Sequence, residues 1–412
     1  NYIAGRDPIG VKPLYYGLDE RGRIYFASEM KSIADQCKSF STFPPGHYYT
    51  AKKGFVKYYN PEYEDRAKAN KSLDLDLIRN TLVESVRKRL MGNVQVGAIL
   101  SGGLDSSLIS SIASRFFKEE GKKLPTFSIG LDADSPDNKK ARKAAEFLGT
   151  DHHEVHFTVE EGVEALEKVI YHIETYDIIS VRSGVPMYLL SKAISEKGIK
   201  IIFSGEGADE IFGGHLYFRN APSAEEFQDE TIERVQKLFT ADLLRADKAT
   251  MANGIEARIP FLDSHFLDAA IRIKTEEKQP KMYDGIEKYI LRKAFDTPED
   301  PYLPESVLWR QKEQFSDGVG YRWVDELIEY CSSQVTDEQL AGAAGEFPYN
   351  TPTTKEAYYY RSIFHKYYPQ VSAGQTVRKW IPKWQDNLDP SGRANAAHVA
   401  DDVETVKSGL AI

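Results

Sequence analysis

The chain has 412 residues, 41% of them hydrophobic and 28% charged, a globular balance that excludes global disorder, collagen and a coiled-coil rod. Lys and Arg total 53 against 62 Asp and Glu, a formal charge of −9 that argues against a nucleic-acid partner, although backbone dipoles can still bind phosphate inside an acidic protein. No apolar run reaches the ~18 residues that a bilayer span needs, and two cysteines, Cys37 and Cys331, suit a reducing compartment such as the cytoplasm rather than a disulfide framework.

A length of this kind holds two or three domains. Residues 1–60 read as β-rich, with short strands expected at 13–17 and 23–27 and a closing hairpin of 47–50 and 55–59 across Lys52-Lys53-Gly54. That is too little for a complete domain. The chain opens on Asn1-Tyr2-Ile3-Ala4 in mid-domain style, so the expectation is a fragment lacking the start of its first domain. The polar stretch 61–72 reads as a linker.

A second unit, 73–388, opens with Leu75, Ile78, Leu82, Val86 and Leu90 at helical spacing. Strands are expected at 94–100, 124–131, 152–158 and 198–204, with helices at 139–148, 160–174 and 183–197 between them. Strands alternating with helices predict an α/β fold, a parallel sheet with helices on both faces. Beyond residue 220 the pattern turns mainly helical, and residues 389–412, small, polar and aperiodic, are expected to be mobile.

The chemistry is carried first by Ser101-Gly102-Gly103-Leu104-Asp105-Ser106-Ser107, which follows a strand and precedes an apolar-periodic helix. Ligands of open α/β sheets bind beyond the carboxyl ends of the strands, where this loop falls. Gly102 and Gly103 allow close backbone approach, and the helix start favours phosphate. Ser101, Ser106 and Ser107 add hydroxyl donors, while Asp105 suits Mg²⁺, which takes carboxylate and phosphate oxygens together. No Gly-Lys-Ser/Thr follows, so this is not a Walker loop. It resembles the pyrophosphate loop of the ATP pyrophosphatases, in which an acyl group attacks the α-phosphorus. The competing reading is a serine-rich helix cap after a buried strand.

A second constellation, Ser204-Gly205-Glu206-Gly207-Ala208-Asp209-Glu210-Ile211-Phe212-Gly213-Gly214, also follows an apolar strand. It offers Asp209 as a second Mg²⁺ ligand and Glu206 as an acid/base, against a plain glycine-rich connection with solvated acids.

With Gly5-Arg6-Asp7-Pro8-Ile9-Gly10, Phe26-Ala27-Ser28-Glu29-Met30-Lys31, Phe43-Pro44-Pro45-Gly46, residues 254–263 (GIEARIPFLD) and residues 309–318 (WRQKEQFSDG), the chain to about residue 390 resembles the glutamine-hydrolysing asparagine synthetases. The resemblance implies an ATP-pyrophosphatase (adenine nucleotide alpha hydrolase-like) synthetase domain with a helical C-terminal part. Before it would lie the end of an N-terminal-nucleophile glutaminase domain, whose cysteine and glutamine pocket precede residue 1. It further implies ATP contacts at Leu100, Ile129, Ser204 and Gly205, pyrophosphate on the first loop, Mg²⁺ at Asp105 and Asp209, and phosphate on Lys312. Glu206 would stand beside the ammonia-attack step. Asp242, Arg245 and Lys248 match a family helix near the aspartate site, where the Arg245 fork suits a carboxylate. Asn253, where many relatives are expected to carry an aromatic, departs from the family pattern.

The implied reaction has two steps. The β-carboxylate of L-aspartate attacks the α-phosphorus of ATP, releasing pyrophosphate; ammonia, derived from L-glutamine in the full-length protein, then displaces AMP. The fragment alone is expected to use ammonia but not glutamine. Another adenylate-forming ligase of this loop family, such as a β-lactam synthetase relative or a thiolation enzyme, stays open, as does a nucleotide-binding relative without catalysis. The sequence is silent on whether the chain forms a homodimer. His152-His153-Glu154-Val155-His156 lacks the further ligands of a zinc site, Tyr358-Tyr359-Tyr360 reads as helix packing rather than base stacking, and Cys37 has no evident His partner.

Overall fold

In the computed structural model, which describes residues 2–92, 94–387, 389–391 and 395, the N-terminal segment folds into two small antiparallel sheets. Strands β1 (Ile3–Gly5), β2 (Tyr15–Leu18), β3 (Ile24–Ala27), β4 (Ser39–Thr42), β5 (His47–Thr50) and β6 (Gly54–Lys57) pair in the orders β1-β5-β6 and β3-β2-β4. The expected hairpin forms, with Thr50 opposite Gly54. β1 and β4 are the strands the sequence did not announce; β1 has only three residues, and three of the four in β4 are polar. Phe26, Phe43, Tyr49 and Phe55 join the sheets through ring contacts of 5.0–5.9 Å.

The stretch after β6 is not a free tether. Tyr63 is buried in the main core, and the Lys71 N–H donates to the carbonyl of Arg272 at 3.0 Å.

The second unit is built on five parallel strands, β7 (Val96–Ile99), β8 (Pro125–Gly130), β9 (Asp151–His156), β10 (Ile201–Phe203) and β11 (Glu256–Arg258), ordered β11-β10-β7-β8-β9. β11 was not expected, since it is a short edge strand with charges on both sides of one apolar residue. Alternating side chains split the interior in two. Val96, Ala98, Ile201 and Phe203 face one core, with α1 (Leu75–Lys88), α2 (Leu104–Glu119) and α3 (Pro136–Leu148). Ile99, Phe127, Ile129 and Ile202 face the other, with α4 (Val159–Ile173) and α5 (Ile178–Glu196). The α/β sheet with helices on both faces is therefore as predicted. α5 begins five residues before the expected 183, because the Asp177 carboxylate caps it by accepting from the Ser180 N–H at 3.1 Å.

Helices α6 (Ala208–Phe212), α7 (Ala224–Lys237), α8 (Asp242–Met251), α9 (Ser264–Ile271) and α10 (Tyr289–Ala294) follow, and the remainder is helical to Gln375 with irregular connections. From β7 the chain steps outward through β8 to β9, and α5 returns it to β10 on the other side of β7. The β7–β10 pair is thus the topological switch point, where doubly wound sheets open a ligand crevice. Among the described residues no helix is long and apolar enough to cross a membrane. Most of the tail expected to be mobile lies outside the described residues; Asp389, which is described, pairs with Arg182 at 3.1 Å.

Candidate active site

Both glycine loops leave the sheet at the switch point. From β7 the chain passes Leu100 into Ser101-Gly102-Gly103. Gly102 sits at φ +72, and a Cβ there would collide with the Lys140–Ala141 backbone of α3, so only glycine fits. The Ser106 hydroxyl accepts from the Ser101 N–H at 3.1 Å and lies 2.9 Å from the Ser101 hydroxyl, tying the loop to the first turn of α2. From β10 the chain passes Ser204 into Gly205, where a Cβ would stand 2.6 Å from the Ser106 nitrogen. The two loops are therefore in direct contact through a glycine.

They wall a cavity of about 100 Å³, lined by Ser101, Gly103, Asp105 and Ser106 from the first loop and by Ser204, Gly205, Glu206 and Asp209 from the second, with Lys312 opposite. Leu100, Ser107 and Ile129 are buried and do not line this cavity, and the Ser107 hydroxyl has no hydrogen-bond partner. A larger cavity of about 540 Å³, between the N-terminal sheets and α7, contains none of the predicted catalytic or metal-binding residues.

Asp105 and Asp209 come together on one lysine. The Lys288 ammonium lies 2.5 Å from Asp105 Oδ2 and 2.6 Å from Asp209 Oδ1, and Lys312 Nζ lies 2.7 Å from Asp209 Oδ2. Burial pushes the Asp105 carboxyl up against the pull of Lys288, and neighbouring Asp209 adds to the rise. Burial would also raise Asp209, but Lys288 and Lys312 together hold it far below the usual carboxylate range. The same two aspartates hold Lys312 above its ordinary value although burial works to lower it. Asp105 Oδ1 is buried without a hydrogen-bond partner. A pair of hard carboxylate donors with a free oxygen fits Mg²⁺.

Lys288 was not foreseen. Nothing in Gly285-Ile286-Glu287-Lys288 marks it, and its left-handed backbone, φ +54, is invisible in sequence. Next to it, Glu287 accepts from Arg292 Nη2 at 2.6 Å and from the Lys312 backbone N–H at 2.7 Å, so one carboxylate fixes both lysine-bearing segments.

Further along the second loop, Glu206 Oε1 accepts from Arg245 Nη2 at 2.9 Å, and Asp242 Oδ1 accepts from the same nitrogen at 2.9 Å. Burial raises the Glu206 carboxyl, opposed by Arg245 and assisted by Asp242. Arg245 is 3% exposed, yet its Nε and Nη1 have no hydrogen-bond partner. Buried guanidinium donors left open in this way suit a carboxylate ligand.

Lys248, on the same helix α8, faces away from this pair. It is buried against Glu174 and lies 3.0 Å from Glu29 Oε2, on the side of the N-terminal sheets. Asn253 donates to the Ser191 hydroxyl at 2.8 Å.

A second unforeseen group is Asp137 at the start of α3. It lines the same cavity, its Oδ1 lies 3.3 Å from Arg310 Nη1, and burial pushes its carboxyl up to about 7. The histidine cluster on β9 is dispersed: His152 hydrogen-bonds Thr126 Oγ1 at 3.0 Å, Glu154 pairs with Arg142 at 2.7 Å, and His153 stacks on Phe127.

The asparagine synthase family model matches residues 77–232 and 219–388, and the glutamine amidotransferase domain model matches residues 1–61. A glutamine-hydrolysing asparagine synthetase of Zea mays is 49% identical over 419 residues, covering 97% of this chain and 71% of the relative. A second from Arabidopsis thaliana is 48% identical over 415 residues, covering 96% and 72%. A probable asparagine synthetase of Dictyostelium discoideum is 49% identical over 421 residues, covering 97% and 75%. Among solved structures, the NMN synthetase of Francisella tularensis aligns at a TM-score of 0.31 and 13% identity, over 76% of this chain and all of that one, a likeness too loose to bear on function.

Proposed function

The chain belongs to the asparagine synthase family, and from that premise we propose how its residues divide the work. The reaction is the ATP-dependent ligation of ammonia to aspartate, with release of AMP and pyrophosphate. A carboxylate is a poor acceptor for an amine, and adenylation supplies the leaving group. The first loop and the start of α2 receive the pyrophosphate, with Lys312 and Lys288 on its far side. When bound at Asp105 and Asp209, Mg²⁺ supplies charge neutralisation to the phosphates.

Arg245 has two jobs in this reading. One nitrogen holds Glu206 at 2.9 Å; the two unpartnered donors take a carboxylate of aspartate. This open, buried guanidinium beside the glycine loops is the observation that carries the proposal. Asp242 shares the nitrogen that holds Glu206, also at 2.9 Å, and helps to orient Arg245. Glu206, raised by burial, is the base that accepts a proton as ammonia attacks the adenylate carbonyl.

Residues 1–60 are assigned to the glutaminase domain, 61–72 to the connector and 73–388 to the synthetase. The two cysteines, both buried and free, support a reducing compartment, the cytoplasm. Whether the chain is a homodimer is decided by sedimentation. The test of the reading is Glu206→Gln with ammonia as the nitrogen donor. Pyrophosphate release with aspartate persists, while asparagine formation falls about 100-fold or more, the usual worth of a placed acid/base. Unaltered asparagine output refutes the role.

A further inference from the structure

The described residues 378–387 and 389–391 have no helix or strand of their own, yet they are pinned by side chains from several elements. The Trp380 N–H donates to Asp177 Oδ1 at 2.7 Å, and the Ile381 carbonyl accepts from Arg234 at 2.7 Å. Lys383 pairs with Glu230 and Glu233 at 2.5 and 2.6 Å, and the Trp384 carbonyl accepts from Asn220 at 3.0 Å. At the far end, Arg182, itself buried, grips both Asp389 oxygens at 3.1 Å while holding Glu356 at 2.8 Å. An idle tail would not engage Asp177 and Arg182, which are 2% and 1% exposed.

What this segment covers is the catalytic machinery. A small cavity of about 30 Å³ lies between Lys312 and His215 on one side and Trp380, Pro390 and Ser391 on the other. Another, of about 40 Å³, lies between Asp242 and Glu210 on one side and Arg378, Lys379 and Trp380 on the other. Trp380 borders both. Its ring meets His215 edge-on at 5.1 Å and lies under the Arg234 guanidinium at 4.7 Å.

We propose that residues 378–387 and 389–391 form a fixed strap walling the synthetase site, and that Trp380 is a positioning residue that keeps water from the aspartyl-adenylate until ammonia arrives. The inference rests on the reaction assigned above. The reaction it suppresses is attack of water oxygen on the β-carbonyl carbon, with cleavage of the carbonyl–phosphate oxygen bond. That returns aspartate and AMP and releases a proton to solvent. Excluding water from a site that holds a reactive acyl group has this consequence generally.

The experiment measures pyrophosphate released per asparagine formed, at saturating ammonia, in the full chain and in Trp380→Ala and Asp389→Asn. The second variant frees the far anchor while leaving Trp380 and the Arg182–Glu356 pair in place. The parent gives a ratio near one. The variants release pyrophosphate at a similar rate but give a ratio several-fold higher, and Trp380→Phe restores it. A wall that serves folding alone lowers both products in parallel and leaves the ratio at one, which overturns the strap in either variant that folds. No pyrophosphate release by the parent with aspartate and ammonia overturns the assigned reaction instead, and the strap's role with it.

Discussion

Lys288→Met tests the bridge between the two loops. The Lys288 side chain is 1% exposed and its ammonium lies 2.5 and 2.6 Å from two carboxylates that are themselves 14% and 12% exposed. Removing one partner from a buried charged group leaves the others uncompensated, at about 3–5 kcal/mol. At ~2–4 °C per kcal/mol for a large domain, Tm falls by roughly 6–20 °C. The control is Lys293→Met in α10, the helix that Lys288 immediately precedes; its pair with Asp296 spans 3.0 Å but is 46% and 23% exposed. Such a surface pair contributes about 0.2–1 kcal/mol. Differential scanning calorimetry in chelator separates the two, and equal shifts would refute the bridge. Adding MgCl₂ then asks a second question. With the ammonium gone, Asp105 and Asp209 are open to a cation, so Mg²⁺ raises Tm more in Lys288→Met than in the parent. A smaller rise leaves the bridge standing and removes the metal from these two residues.

Gly205→Ala drives a methyl against the Ser106 nitrogen, 2.6 Å from the ideal Cβ position, so ATP affinity drops at least ~10-fold by titration calorimetry, with a stability loss of about 1–3 kcal/mol. Gly342→Ala, in a helix with nothing within 4 Å, is neutral or stabilising by about 0.5–1 kcal/mol; a matching ATP defect there would undo the contrast. Asp137 titrates near 7 when folded against 3.8 as the ordinary value, so the folded state keeps a proton that the unfolded chain has lost and stability falls as pH rises through that window. Asp137→Asn removes this titration, and its Tm relative to the parent therefore climbs between pH 5 and 8, by at most about 3 kcal/mol in stability; a difference curve flat in pH counts against the raised carboxyl.

The glycine loops were legible because their chemistry is local. An apolar strand, a glycine turn and a serine-rich helix start lie within a dozen residues, so Asp105, Ser106, Glu206 and Asp209 could be named before any contact was known. Lys288 and Asp137 could not. Each reaches the cavity from a segment with no motif, and the partners that hold it there are 79 or more residues away in sequence. The same holds for β11, which becomes a strand only because β10 offers it an edge. Lys248 is a different case: it stands three positions after Arg245 on α8, yet its ammonium pairs with Glu174 and Glu29 rather than with Glu206 or Asp242.

The acidic composition of the chain and its use of a polyphosphate are reconciled inside the cavity. Its lining includes Asp105, Asp137, Glu206, Asp209 and Glu313 against Lys288, Lys312, Arg292 and Arg310. Counted formally, the acids exceed the bases by one, and no basic patch exists to be found in the sequence. Burial changes that count. Asp105, Asp137 and Glu206 are all raised, whereas Asp209 is held ionised by the two lysines it touches. Asp105, Asp137 and Glu206 are thus the more easily protonated, whereas Asp209 stays charged and holds Lys288 and Lys312 in place. An incoming phosphate competes with Asp209 for those ammonium groups, and a cation that occupies the Asp105–Asp209 pair relieves the competition. On the proposed reading, the affinity of this site for anions follows which of its own carboxylates are charged, and a pyrophosphate titration repeated across pH and with added Mg²⁺ tests it.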